Sequence, residues 1–179
     1  MFKITKNARN LSMGLMAIGL IALIFGFVSD FNHLAEDPHH HFSTWPALLF
    51  NTYFYLGISV FAVFFIAMQY VSEAAWSIVL KRVPEAIISF LPITGIIMLI
   101  IMVSAAMHFG GNHIYHWMAE GIMDPDRENY DAIIAGKEAF LNTTFFLARS
   151  VIYILGWIYF GRKLKQLSLS EDQHGGLSY

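Results

Sequence analysis

The chain has 179 residues, of which 56% are hydrophobic and only 13% are charged. Soluble domains carry about 45–50% apolar and about 25% charged residues, so this composition excludes a soluble enzyme and a disordered tail. The net charge is −2, with 11 basic and 13 acidic residues, whereas a nucleic-acid-binding surface needs a basic excess. Cysteine is absent, which excludes disulfides, iron–sulfur ligation, covalent c-type haem and thiolate zinc sites in this chain.

Four apolar runs are long enough to cross a bilayer as helices, which takes about 20 residues each. In chain order they cover residues 11–29, 46–71, 84–107 and 139–161. The runs are continuous rather than alternating, which excludes the strands of a membrane barrel. The first run is too long for a cleavable signal peptide, so we expect it to remain as a helix. The sequence therefore predicts an all-α integral membrane protein with four transmembrane helices.

The sequence also predicts a kink, a segment along the membrane surface and a polar tail. Pro92 and Gly95 predict a kink in the third helix. Residues 72–83 mix apolar and charged side chains at helical spacing, which favours a segment along the membrane surface with Trp76 at headgroup depth. We expect residues 11–165 to form the membrane domain and residues 166–179 to form a polar tail.

The distribution of lysine and arginine predicts the orientation. Eight of the 11 fall in residues 1–10, between the second and third helices, or after the fourth helix. Loops 30–45 and 108–138 contain only Arg127 and Lys137. Because positive charge is enriched in cytoplasmic loops, we expect an arm at residues 1–10 and the tail in the cytoplasm, with the two loops outside.

Arg149 is a cation within the fourth apolar run, nine or ten residues from its start. At 1.5 Å per residue it would lie about 15 Å deep, at the membrane midplane. A charge there is costly unless it is paired. Three interpretations remain open: a structural arginine bonded to carbonyls and hydroxyls, a part of a proton or quinone path, or a partner for an acid on another protein's helix.

Glu85 follows Pro84 at the predicted start of the third helix. The simpler interpretation is structural, because a carboxylate in a first turn is favoured by the helix dipole and proline suits the first position. The functional alternative is that Glu73, Arg82 and Glu85 form the cytoplasmic mouth of a proton path.

Histidines concentrate on the predicted outer side, with His108, His113 and His116 after the third run and His39, His40 and His41 in the first outer loop. His113 and His116 have i, i+3 spacing, so on one helical face they could bind zinc with an acid. No HExxH-type motif supports that, and hydrogen bonding or protein contact is favoured. A b-type haem needs facing axial histidines within the bundle, and no histidine lies in the first, second or fourth apolar run. We therefore predict no metal and no cofactor in this chain.

Several motifs carry a resemblance to a known family. The segment from Gln69 to Ile87 resembles the junction between the second and third helices of NrfD-like membrane subunits of alternative complex III, and more narrowly of its F-type subunit. The similarity runs from about residue 47 to 165. Its further motifs follow in the same order: Asn112–Met118, Asp131–Lys137, and Leu141-Asn142 with Phe145-Phe146 and Arg149.

The resemblance implies a subunit of a respiratory quinol:cytochrome c (or quinol:oxidase) oxidoreductase in the bacterial cytoplasmic membrane. It implies that haem c, iron–sulfur clusters and menaquinol belong to partner subunits, while this chain scaffolds the complex, contributes to a proton path and is not catalytic alone. Members of that family have more membrane helices than four, so we expect this chain to be the N-terminal part of a longer product.

Two other classes remain open from the residues alone. One is a small membrane transporter or channel, which should work when purified by itself. The other is a membrane enzyme with an outer-face histidine site, which should contain bound metal.

Overall fold

The computed structural model describes residues 5–36 and 43–174, which form six α-helices and contain no strand. Short 3-10 segments occur at Ala75–Val79, Phe109–Gly111 and His116–Met118. The helices are α1 (Lys6–Glu36), α2 (Thr44–Val71), α3 (Arg82–Ile88), α4 (Leu91–Ala106), α5 (Ala132–Ala135) and α6 (Thr143–His174).

Four helical segments of the described residues are long and apolar enough to cross a membrane: Lys6–His33, Thr44–Val71, Arg82–Ala106 and Thr143–Asp172. This confirms the predicted all-helical chain with four helices able to span a bilayer. Large apolar side chains are exposed along each of them, which is the surface that lipid would cover.

The bounds of the outer two spans differ from the prediction. Helix α1 begins at Lys6 and continues to Glu36. Helix α6 begins at Thr143 rather than 139, and it continues to His174. Residues 166–174 of the predicted polar tail are therefore helical, while residues 175–179 lie outside the described part.

The chain divides into two units between Leu48 and Leu49. In the first unit, the buried carboxylate of Asp30 accepts hydrogen bonds from the backbone N–H groups of Ser43 (3.2 Å) and Thr44 (2.9 Å). An acceptor at this position caps the start of α2 and favours its dipole. Beside it, the rings of Phe27 and Trp45 pack edge to face at 4.8 Å.

In the second unit, the third span is broken between α3 and α4 at Ser89 and Phe90. Pro92 has no N–H to bond the carbonyl of Ile88, four residues earlier. Regular i→i−4 bonding resumes with the backbone N–H of Thr94, which bonds the carbonyl of Phe90 at 3.2 Å. The helix is thus interrupted at the two residues that precede α4, beside the proline on which the kink was predicted.

A common apolar core joins α2, α3, α4 and α6 in the second unit. Two glycines allow close approach: a Cβ at Gly95 would lie 2.7 Å from Ile154 Cγ2, and one at Gly161 would lie 2.9 Å from Ile88 Cγ2. Small residues at helix interfaces commonly serve this purpose in membranes. The close packing brings the end of α6 beside the start of α3. The buried core residues are Leu56, Ala62, Val63, Ile66, Ile88, Leu91, Met98 and Ile154.

Candidate functional site

Glu85 lies in the first turn of α3, and only 4% of its side chain is exposed. One carboxylate oxygen, Oε2, lies 2.6 Å from Nη1 of Arg82. The other, Oε1, accepts a short hydrogen bond from the hydroxyl of Ser168 on α6. Both oxygens therefore have donors, which a buried carboxylate requires.

Further charged groups surround this pair. Arg82 also forms an ion pair with Asp172, and Lys81 Nζ lies 3.1 Å from Asp172 Oδ1. Lys81 Nζ is 3.9 Å from Glu171 Oε2, which accepts a 3.2 Å hydrogen bond from the hydroxyl of Tyr70. We call this set the Glu85 cluster; it comprises Tyr70, Lys81, Arg82, Glu85, Ser168, Glu171 and Asp172.

The helix break adjoins the Glu85 cluster through Ser89. The Ser89 hydroxyl donates to the backbone carbonyl of Glu85 at 3.1 Å, and Lys165 Nζ donates to the Ser89 hydroxyl at 2.5 Å. Polar side chains of α6 thus contact both the start of α3 and its end.

Charge and burial determine what the Glu85 cluster can do chemically. Two cations, Lys81 and Arg82, face the three carboxylates of Glu85, Glu171 and Asp172, which leaves one acid in excess. The outer pairs are partly exposed, with 47% of the Arg82 side chain accessible, so screening limits their contribution to stability. The Glu85 carboxylate is the buried acid of the cluster, and both of its oxygens are bonded.

The sequence predicts only part of this site. Arg82 and Glu85 are brought together as predicted. Glu73 is not: its side chain is exposed, and its backbone takes the left-handed conformation (φ 47°) in the turn after α2. The proposed mouth therefore lacks Glu73 and gains residues of α6 that the analysis had assigned to a polar tail. Their i, i+3, i+4 spacing, at positions 168, 171 and 172, was the available signal.

Arg149 lies closer to the start of its helix than predicted. The side chain of Asn142 accepts hydrogen bonds from the N–H groups of Thr144 (2.9 Å) and Phe145 (3.3 Å), which begins the helix at Thr143. Arg149 is thus the seventh residue of α6, about 9 Å along it. The inferred midplane position rested on a start at residue 139 and is not supported by this helix start.

The surroundings of the Arg149 guanidinium are aromatic. Its Cζ lies 3.9 Å from the centroid of the Phe140 ring and 5.2 Å from that of Phe145. Its Nη1 is shielded from solvent and has no hydrogen-bond partner in the described part of the chain. No carboxylate is paired with it among those residues, and the interpretation that pairs it with an acid on another protein's helix stays open.

The three outer histidines do not share the helical face that the zinc alternative required. His113 lies outside any helix and His116 lies in a 3-10 segment. The rings of His108 and His113 instead approach to 5.2 Å. Within residues 5–36 and 43–174, no group of three or more His, Cys, Asp or Glu side chains could hold a metal ion. His39, His40 and His41 lie outside the described residues.

Aromatic side chains gather near the start of α6. The ring of Phe146 lies 5.5 Å from that of Tyr115 and 5.4 Å from that of Trp117. Burial raises the pKa of the Tyr115 hydroxyl above its ordinary value. The preceding turn is fixed by Asn112, whose fully buried side chain donates to the Ser104 hydroxyl at 2.7 Å.

Comparison with known proteins leaves the family of the chain open. No protein-family model matches the chain, and no curated protein matches it. The features of this chain that bear on its function are the Glu85 cluster, Arg149 and the sequence motifs that resemble NrfD-like subunits.

Proposed function

We propose that the chain is a cofactor-free integral membrane subunit of a respiratory quinol:cytochrome c (or quinol:oxidase) oxidoreductase in the bacterial cytoplasmic membrane. One observation supports this proposal: the segment that resembles the family also provides residues of the Glu85 cluster. The segment Gln69–Ile87 carries the resemblance to NrfD-like subunits, and it also supplies Tyr70, Lys81, Arg82 and Glu85 to the Glu85 cluster. The resemblance thus extends to polar residues with specific partners, beyond the apolar composition that any membrane helix shares.

In this proposal the chain scaffolds the complex and contributes the entrance of a proton path. The buried Glu85 carboxylate accepts from Arg82 and Ser168, and the partly exposed acids Glu171 and Asp172 lie in the same ion-pair cluster, between it and the surface. Haem c and iron–sulfur clusters belong to the partner subunits, since the chain has no cysteine to bind haem covalently or to ligate a cluster. The resemblance alone assigns menaquinol to a partner subunit.

The positive-inside rule gives the proposed orientation. The end of the membrane domain that carries Lys81, Arg82, Arg162, Lys163 and Lys165 faces the cytoplasm, and both termini lie on that side. The Glu85 cluster is then accessible from the cytoplasm, which is where protons for quinol-linked transport would be taken up.

Isolation of the full chain from its native membrane tests the proposal. An affinity-tagged chain, solubilised in a mild detergent, should co-purify in fixed ratio with subunits that contain haem c and iron–sulfur clusters. The preparation should oxidise a menaquinol analogue and reduce cytochrome c. A chain that purifies alone and transports a solute in vesicles would contradict the proposal in favour of a transporter, and bound metal at the histidines would favour an enzyme.

A matched pair of variants tests the proton path separately. Glu85→Gln should retain the assembled complex but take up fewer protons per quinol oxidised in vesicles. Glu73→Gln, an exposed acid outside the Glu85 cluster, should take up protons as the wild type does. Equal proton uptake in both variants would exclude Glu85 from the path while leaving the assignment as a subunit intact.

A further inference from the structure

Arg149 combines a permanent charge with an unused hydrogen-bonding edge. The residue is half-buried, and its Nη1 is shielded from solvent without an acceptor among the described residues. A buried donor without a partner is costly, and more so when it is charged. The chain itself encloses Nη1, whereas Nε and Nη2 are not enclosed in this way and have no acceptor among the described residues, so these two atoms can meet an acceptor from outside the chain.

The guanidinium lies at the end of the helix rather than deep in the membrane. Helical side chains lean toward the N-terminus of their helix, and the Arg149 guanidinium stacks on Phe140, which precedes α6. At the other end of the span, Arg162 follows 13 residues later, or about 20 Å. With a hydrocarbon core of about 30 Å, the Arg149 backbone lies about 10 Å from the far edge, a depth from which arginine side chains snorkel to the headgroups.

Aromatic residues give an independent estimate of the depth at which α6 begins in the membrane. Tyr115 and Trp117 contact Phe146 in the first turn of α6. Tyrosine and tryptophan concentrate at the membrane–water interface, where an apolar ring and a polar group are both accommodated. The start of α6 is therefore at headgroup level.

An anion at this position would be bound by the Arg149 side chain rather than by the backbone N–H groups of α6. The first N–H groups of α6 are already bonded to the Asn142 side chain, so the helix terminus offers little to a ligand. Arginine presents a planar fork that matches the two oxygens of a phosphate. The exposed rings of Phe140 and Phe145 lie beside it, and they provide an apolar surface for the carbons next to that phosphate.

We propose that Arg149 binds the phosphate group of a membrane phospholipid, with Phe140 and Phe145 packed against the glycerol and acyl carbons. Phospholipid phosphates are abundant at the level where the guanidinium lies. A carboxylate of another protein would have to be brought to that level by assembly. The inference concerns the chain by itself and does not depend on the proposed respiratory function.

The test uses the purified full chain after removal of lipid in detergent. Dioleoylphosphatidylcholine, dioleoylglycerol and sodium phosphate are added separately, and the melting temperature (Tm) and the number of lipids retained in native mass spectrometry are measured. We expect phosphatidylcholine alone to raise Tm. Arg149→Leu should weaken the apparent lipid affinity about tenfold or more, the effect of one charge-assisted hydrogen bond. Arg162→Leu, the same change at the other end of the helix, should bind as the wild type does.

Each other outcome overturns the proposal. Equal responses of the wild type and Arg149→Leu to phosphatidylcholine exclude the site, and so does an equal rise with dioleoylglycerol. A rise with sodium phosphate alone identifies a free-anion site instead. A wild type that phosphatidylcholine does not stabilise points to a carboxylate of another protein. If Arg149→Leu does not fold, Arg149→Lys decides: it keeps the charge without the planar fork, so an unchanged affinity overturns the proposal.

Discussion

The ion pair between Arg82 and Glu85 allows a quantitative prediction about stability. Glu85→Gln keeps the size of the side chain but removes the charge that accepts from Arg82 Nη1 at 2.6 Å and from the Ser168 hydroxyl. A hydrogen bond to a charged group contributes about 1.5–3 kcal/mol. Breaking a fully buried pair costs about 3–5 kcal/mol, but Arg82 is 47% exposed and keeps Asp172 as a second partner. We therefore expect Glu85→Gln to lower the free energy of unfolding by about 1.5–3 kcal/mol.

A double-mutant cycle isolates the pairwise contribution. The free energy of unfolding is measured for the wild type, Glu85→Gln, Arg82→Gln and the double variant, by titration with a denaturing detergent in mixed micelles while helicity is followed. The coupling energy between the two positions should be about 1–2 kcal/mol, within the range observed for residues in one ion-pair network. Arg162→Gln, an exposed cation outside the Glu85 cluster, is the control and should change stability by less than about 0.5 kcal/mol.

Additivity would refute this reasoning. If the costs of the two single variants sum to that of the double variant within about 0.5 kcal/mol, the side chains behave as independent sites. The 2.6 Å contact would then contribute nothing to stability, and the end of α6 would be held by apolar packing and by the polar contacts of Ser168, Glu171 and Asp172.

Three further predictions concern orientation, packing and pH. Gln166→Cys should react with a membrane-impermeant thiol reagent only after the inner membrane is opened, and Glu128→Cys should react in intact spheroplasts; the reverse pattern would invert the orientation. Gly95→Ala should destabilise the protein by about 1–3 kcal/mol by overpacking, since the added Cβ would meet Ile154. Gly156→Ala, where the added Cβ meets open space, should not destabilise it. Equal melting temperatures for the two variants would contradict the close packing at Gly95. Burial raises the pKa of Tyr115, so the contribution of the neutral hydroxyl to stability is complete below about pH 10, the pKa in the unfolded chain. That contribution is lost as pH rises through the higher pKa of the folded protein. Tyr115→Phe should therefore lose less stability than the wild type in that alkaline range, and an equal loss would contradict the raised pKa.

The features that follow from hydropathy were predictable from the sequence. A membrane helix must bond its own backbone groups, so an apolar run of sufficient length has few alternatives to a helix. The break before α4 was predictable for a similar reason, because Pro92 removes a specific backbone donor. The pairing of Arg82 with Glu85 is also local, at i, i+3 spacing within α3.

The extent of α6 depends on information that hydropathy does not carry. Its start is determined by the Asn142 cap, a signal that a hydropathy window passes over, and this error misplaced Arg149. Its end is determined by contacts with a distant part of the chain: Glu171 and Asp172 meet Lys81 and Arg82 only after folding. A polar composition by itself could not distinguish such a helical extension from an unstructured tail.

The Glu85 cluster also has a consequence for the order of events during synthesis. Glu85 and Ser168 are separated by 83 positions, and ribosomes add about 5–20 residues per second. The third span therefore emerges about 4 to 17 s before its partners on α6 exist. During that interval Arg82 is available to Glu85, but Ser168 and Asp172 are not. Insertion of the third helix thus precedes completion of the site, which forms only when the ribosome has delivered the end of α6.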